Sequence, residues 1–216
     1  MHLTLRFNSR ESNVLRLPSA NLCLFQAMLY KLLPPERAIF LHDEGYKVDG
    51  KPMKLFAMSW PLCAARPLEN KGHIEYSLPI RLVVSTPVVA TLDGLAGGAF
   101  GTEDLRIGNT PVICEGLEAV PLTVTSEEVR VKTLSPITCY SRMQRGDGRK
   151  YTAYFHPSST DFSESVHNNL VRKFRALYPD HEIPDGKVEI RPSGKARERV
   201  AKFDEKSNFP IKGWDG

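Results

Sequence analysis

The sequence predicts an α+β protein of two tandem ferredoxin-like units, the second of them incomplete. Three observations predict it. In the first 115 residues, period-two and helical-period segments follow one another in the order strand, helix, strand, strand, helix, strand, which is the split βαβ arrangement. Near Val129 the period-two pattern begins again. A hairpin, a helix and a further strand follow it, and the chain then reaches Trp214-Asp215-Gly216 with neither a second helix nor a closing strand. The expected units are residues 1–115 and 126–216, with the connection in Glu115 to Thr125.

In the first unit, Leu3-Thr4-Leu5-Arg6-Phe7 alternates as a strand does. Leu22, Phe25, Leu29 and Leu32 recur at helical spacing, with Ser19 as the expected N-cap and Pro34-Pro35 as the stop. A second helical run carries Ala38, Ile39, Phe40 and Leu41 and ends in His42-Asp43-Glu44-Gly45, where Gly45 suits a C-terminal cap. A polar loop follows, and a strand is expected to begin at Lys54 and run to Trp60. The polar turn Glu69-Asn70-Lys71-Gly72 joins it to one strand from His73 to Ser85, a hairpin pattern. Thr86-Pro87 is expected to open a helix that dissolves at Gly97-Gly98. A β run with Leu105, Ile107, Val112 and Ile113 closes the unit. The same order occurs in RNA-recognition domains, whose sheet face binds single strands, but fold alone does not decide function.

In the second unit, Val129-Arg130-Val131-Lys132-Thr133 is expected to be a strand. Ile137–Tyr140 and Tyr151–Phe155 flank Gly146-Asp147-Gly148, so Arg142, Arg145, Arg149 and Lys150 surround a hairpin tip. Asp161 with Glu164 has capping-box spacing. A helix then runs through Phe162, Val166, Leu170, Phe174 and Leu177 and stops before Pro179. Lys187–Arg191 is expected to be a further strand.

Bulk properties exclude several classes. The chain of 216 residues is 41% hydrophobic and 25% charged, an ordinary globular composition with no run long enough for a membrane helix. The N-terminus does not read as a signal peptide. Cys23, Cys63, Cys114 and Cys139 lack CxxC spacing, which argues against zinc and redox motifs and for reduced, buried thiols in a cytoplasmic setting. There is no P-loop, and Gly97-Gly98 with Gly101 is too weak for a phosphate cradle. Residues 1–140 hold 14 Lys+Arg against 14 Asp+Glu, and the remainder hold 15 against 11. The whole net charge of +4 therefore lies in the last third, where a polyanion is expected to dock.

Taken singly, Tyr30, His42 and Lys54 are unremarkable side chains at the joints of the first helices and strand. Taken in order, they form a series: an aromatic-ended helix, Leu41-His42-Asp43-Glu44, a short loop, and Lys54-Leu55-Phe56. Leu134-Ser135-Pro136-Ile137-Thr138, Lys150-Tyr151-Thr152 and the helix from Asp161 to Lys173 continue it. This series resembles the CRISPR-associated endoribonucleases that cut CRISPR repeat RNA, the sixth Cas family within the RAMP superfamily. In that family a segment like Ile211-Lys212-Gly213-Trp214 leads into a strand, a helix and a glycine-rich loop that helps hold the RNA. The second unit is therefore expected to lack that loop.

The resemblance implies a metal-independent endoribonuclease acting on precursor CRISPR RNA, with neither metal nor cofactor. RNA carries its own nucleophile, the 2′-OH beside each phosphodiester, and the products would be a 2′,3′-cyclic phosphate and a 5′-OH. His42 is expected to transfer a proton, as general acid to the leaving oxygen. Lys54, a compact charge, is expected to stabilise the phosphate. Tyr30 is expected to orient the 2′-OH, since an ordinary phenol is a poor base at neutral pH. Arg142, Arg145, Arg149 and Lys150, together with Arg191, Lys195 and Arg197, are the expected RNA contacts. His156 and His167 are expected to be structural or solvent-facing. The alternative function is a repeat-RNA-binding scaffold without turnover. Candidate protein partners are other subunits of a CRISPR effector complex and a second copy of the chain.

Overall fold

The structure is a computed structural model and describes residues 1–69, 72–204 and 210–216. The chain forms two compact units, one holding residues 1–45, 54–130 and 202–204 and the other Tyr46–Met53, Val131–Ala201 and Pro210–Gly216.

The first unit is organised on a four-stranded antiparallel sheet in the spatial order Ile113–Val120, His2–Asn8, Ile80–Ser85, Ala57–Met58. In the unit's own strand numbers this order is 4-1-3-2, as the split βαβ arrangement requires. Alternation sends Leu3, Leu5 and Phe7 to one face, level with Val84, Leu82 and Ile80, and all six are buried. Two helices supply the other half of this core. Helix α1 (Leu22–Lys31) buries Phe25, Met28 and Leu29, and Phe25 meets the Tyr76 ring edge-on at 5.9 Å. The short helix α2 (Pro35–Ile39) starts on a proline at its first position. Helix α3 (Val89–Gly101) buries Leu92, Leu95 and Ala99.

Several expectations are corrected here. The residue before α1 is Asn21, not Ser19, and it does not cap: buried, it donates through Nδ2 to the Pro18 carbonyl at 2.6 Å and meets the Tyr76 hydroxyl at 3.0 Å. Val14–Pro18 is an additional strand, which alternating Leu15 and Leu17 could have signalled. The single expected strand from His73 to Ser85 is two, His73–Ser77 and Ile80–Ser85, divided at the cis Leu78-Pro79 bond and belonging to different sheets. His73–Ser77 pairs with Val14–Pro18 on one side and Ala65–Pro67 on the other. The turn between Ala65–Pro67 and His73 includes Asn70 and Lys71, which lie outside the described residues. Across these three strands, Arg16 and Arg66 both clasp the Glu75 carboxylate, at 2.8 Å and 2.7 Å.

Helix α3 begins at Val89, two residues later than Pro87, because the Thr86 hydroxyl accepts from the Val88 backbone N–H and forms its own turn. It does not end at Gly97-Gly98 but continues to Gly101. Packing explains this. A Cβ on Gly98 would fall 2.6 Å from the carbonyl carbon of Leu32, at the end of α1, so the helices approach to a separation that only glycine permits.

The second unit contains an antiparallel hairpin, Tyr140–Gln144 with Lys150–Tyr154. Its long helix is α4 (Thr160–Leu177), and Arg197–Ala201 pairs with Ile211–Asp215. Trp214 bridges to Ile137, and Gly213 passes so near Pro136 and Thr138 that a Cβ would sit 2.9 Å from each. Phe162, Cys139, Trp214 and Pro157 are its buried apolar side chains among the described residues. Ser159, not Asp161, caps α4, its hydroxyl accepting from the Phe162 N–H. Two expected strands are not regular strands. Val129–Thr133 has no regular secondary structure, and among the described residues only Thr133 has a backbone partner, Gly216. Residues 187–191 instead lie along α4, where the Ser163 hydroxyl holds the Ile190 N–H and His167 Nδ1 accepts from the Val188 N–H. The polar loop after Gly45 is a third element of this unit. Tyr46–Val48 and Lys51–Met53 form a hairpin turned by Asp49-Gly50, both at positive φ, and Arg175 of α4 lies 3.9 Å from Asp49.

Candidate active site

His42 lies where α2 widens into a π-helical turn, Phe40–Glu44. Gly45, at φ 67°, ends the turn as expected, and its N–H reaches back to the Phe40 carbonyl at 2.7 Å. Such insertions re-aim side chains and recur at functional sites. Leu41 points into the core while His42 is 69% exposed.

The three expected residues converge. Lys54 Nζ donates to the His42 backbone carbonyl at 2.9 Å, a cation on one of the last carbonyls of a helical segment. That leaves Lys54 two N–H donors for another anion or for water. Lys54 does not begin a strand, since regular pairing starts at Ala57. Between them Leu55 is buried at φ 47°. A branched residue in the left-handed region is a costly conformation, and here it turns the chain so that Leu55 enters the core while Lys54 stays outside beside His42.

The Tyr30 ring meets His42 edge-on at 5.9 Å and stacks on Phe56 at 6.1 Å. Its hydroxyl, however, is buried and makes no hydrogen bond of standard geometry. Burial raises the phenol above its ordinary pKa, and the nearby Gln26 side chain offsets only part of the rise. His42 Nδ1 lies 2.5 Å from the Asp43 carboxylate. An imidazole bonded to a carboxylate through Nδ1 carries its proton there and turns Nε2 outward. Asp43 was not among the expected site residues. Its place next to His42 was visible, but the π turn that folds it onto Nδ1 was not.

The expected RNA contacts divide into two groups within the second unit. Arg142, Arg145, Arg149 and Lys150 share the hairpin and are all exposed. The Arg145 N–H bonds the Arg149 carbonyl and the Gly148 N–H bonds Arg145, closing the tip. Arg191, Lys195 and Arg197 lie on another segment; Arg191 is clasped by Glu189, and Arg197 opens a strand. His156 contacts Ser158 at 2.6 Å and meets Trp214 edge-on at 5.8 Å, and with His167 on the Val188 N–H both have the structural partners expected of them.

The cysteines are free, but only Cys139 is buried, the others being half-exposed. Burial raises the thiols of Cys63, Cys114 and Cys139, a setting that suppresses thiolate chemistry. Among the described residues no group of three or more His, Cys, Asp or Glu is placed to hold a metal ion. No helix among them is long and apolar enough to cross a membrane.

Comparison with known proteins adds an independent line. Residues 118–216 match the family model "CRISPR associated protein Cas6, C-terminal". The CRISPR-associated endoribonuclease Cas6 1 of Methanocaldococcus jannaschii is 26% identical over 125 residues, 58% of this chain and 48% of that protein. The chain thus spans about half the length of this curated relative. Among solved structures, "CRISPR associated protein Cas6" superposes with a TM-score of 0.70 at 20% identity, covering 99% of this chain and 85% of the other. "An RAMP protein binding different RNA substrates" gives 0.69 at 15%, covering 100% and 85%. A Cas6-related protein from Pyrococcus furiosus gives 0.67 at 15%, covering 100% and 84%. At these identities the structural likeness establishes the tandem ferredoxin-like fold. The match over residues 118–216 and the partial match to the M. jannaschii protein make this chain similar in sequence to Cas6 proteins.

Proposed function

We propose that this chain binds CRISPR repeat RNA and cuts it as an endoribonuclease, with the 2′-OH of the RNA as nucleophile and no metal in the route. The observation that carries the reading is the His42 site: an exposed imidazole with Nδ1 on Asp43 and the Lys54 ammonium on its own backbone carbonyl. In the reaction the 2′ oxygen bonds to phosphorus, the bond to the 5′ oxygen breaks, and His42 Nε2–H protonates that leaving oxygen. The donating form is the imidazolium, with Asp43 accepting its Nδ1–H and leaving Nε2–H free to face the leaving oxygen. The remaining donors of Lys54 face the charge that grows on the phosphoryl oxygens. The 2′ proton passes to water, because the Tyr30 hydroxyl is buried and its pKa is raised. Tyr30 acts as a wall that sets the His42 ring.

The test is single-turnover cleavage of repeat RNA in EDTA. His42→Ala is expected to slow cleavage by about 10²–10⁴-fold, or about 3–5 kcal/mol of activation free energy, with little change in binding. Tyr30→Phe, which removes only a buried hydroxyl, is expected to leave the rate within about threefold, a change of under about 1 kcal/mol. A 2′-deoxy substitution at the cut site is expected to abolish cleavage. Cleavage of the deoxy substrate, or activity that disappears in EDTA and returns with magnesium, would refute the mechanism. Binding without any cleavage would select the scaffold reading.

A further inference from the structure

We propose that the Tyr140–Tyr154 face of the second unit's hairpin is a stacking site for an unpaired RNA base, so that the RNA segment held there is single-stranded. The proposal rests on the RNA-binding reading above and specifies the form of the RNA. Register pairs Tyr140 with Tyr154, Arg142 with Thr152 and Gln144 with Lys150, which puts these six side chains on one face. Two aromatic rings therefore stand at one end of a face that carries Arg142 at its middle and Lys150 at its other end.

Tyr140 is 52% exposed, a large ring presented to water. Tyr154 backs it at 5.9 Å with a 49° tilt, and the Tyr154 hydroxyl is tied to the Pro210 carbonyl at 3.4 Å. The gap between the rings is narrower than the roughly 6.8 Å, two 3.4 Å stacking steps, needed to admit a base. A base therefore stacks on the outer face of Tyr140. The third tyrosine of the hairpin differs: Tyr151, on the opposite face, already lies under the Arg145 guanidinium at 5.4 Å and bonds Met143 Sδ through its hydroxyl.

Charge decides between RNA and a protein partner. Residues 140–154 hold four cations, Arg142, Arg145, Arg149 and Lys150, and one acid, Asp147, whose carboxylate caps the Arg149 N–H at 3.0 Å. The centre of a protein interface is depleted of charge, whereas aromatic rings interleaved with cations are what a single-stranded polyanion with exposed bases requires. Arg142 lies two residues from Tyr140, about 7 Å along the strand, so a base on the ring leaves its phosphate within reach of the guanidinium. A duplex offers no such fit, because its base faces are covered by their neighbours and its major groove is too narrow for side chains to read.

The test uses the full chain with a ten-nucleotide RNA carrying one 2-aminopurine, single-stranded or annealed to its complement. The single strand is expected to bind more tightly, with quenching of the 2-aminopurine. Tyr140→Leu is expected to weaken single-strand binding about five- to hundredfold, the usual effect of losing one stacking ring, and to remove the quenching, while Tyr140→Trp retains both. Duplex affinity is expected to be the same in all three. Equal losses on single strand and duplex, or no loss on the single strand, would overturn the stacking site. Neutralising Arg142, Arg145, Arg149 and Lys150 separates the two levels. If that variant loses binding while Tyr140→Leu does not, only stacking fails; if neither loses it, the hairpin is not an RNA site. Self-association that Tyr140→Leu abolishes without RNA would make this face a protein interface and refute the proposal.

Discussion

Two adjacent glycines of α3 are expected to respond to alanine in opposite directions. At Gly98 an added Cβ would lie 2.6 Å from the Leu32 carbonyl carbon and 2.9 Å from its Cα, and nearer still to the carbonyl oxygen. Ordinary van der Waals contact begins at 3.4 Å, so α3 must retreat from the end of α1 by about 0.8 Å or more. The obstacle is backbone and cannot rotate away. Overpacking costs about 1–3 kcal/mol where side chains can yield, and a backbone clash belongs at the upper end. The intrinsic helix preference of alanine returns about 1 kcal/mol, leaving a net loss of about 2 kcal/mol. At Gly97, which is exposed with nothing within 4 Å of the added carbon, the same preference acts unopposed and stabilises by about 0.5–1 kcal/mol. The neighbours should therefore differ by about 3 kcal/mol, which at typical urea slopes separates their unfolding midpoints by about 1 M or more. Urea denaturation followed by circular dichroism reads this directly. A Gly98→Ala midpoint at or above wild type would show that α3 does not need this close approach, and the packing argument would be wrong.

Two further outcomes follow from the charges. Hydrogen bonds from Arg16, then Arg66, hold the Glu75 carboxyl below its ordinary pKa, so the folded state binds fewer protons than the unfolded one. The stabilisation is complete above the ordinary glutamate pKa of about 4.3 and is lost as pH falls through the lower folded value. Glu75→Gln is expected to flatten the acid limb of a stability–pH curve, and an unchanged limb would refute the clasp. Neutralising the four hairpin cations is expected to reduce the slope of log affinity against log salt for single-stranded RNA by about 3, at about 0.7 per lost phosphate contact. An unchanged slope would move the RNA path off the hairpin.

The first sheet was legible because a buried face writes its period into the chain: Leu3, Leu5 and Phe7 alternate because alternate side chains enter one core. The basic hairpin was legible because its tip needs glycine and its strands alternate. Other elements failed for identifiable reasons. Val129–Thr133 alternates as a strand does, yet Val129 and Val131 are exposed and only Thr133 finds a backbone partner; alternation reports a capacity to pair, and pairing needs a second chain segment. The run from His73 to Ser85 looked continuous because both of its strands alternate, and nothing local says that they serve different sheets.

By itself the sequence supplied the candidate residue types of the proposed chemistry and, through the ordered series from Tyr30 to the helix at Asp161, the resemblance to Cas6 proteins. It did not determine their geometry. Three details at the site came only from tertiary structure: the π turn that folds Asp43 onto His42 Nδ1, the left-handed Leu55 that keeps Lys54 beside the His42 carbonyl, and the burial of the Tyr30 hydroxyl. Each is a locally unfavourable arrangement that no short stretch of sequence would adopt alone. Packing of Leu41, Leu55 and the Tyr30 ring supplies the free energy that holds them, and that packing joins residues distant in the chain.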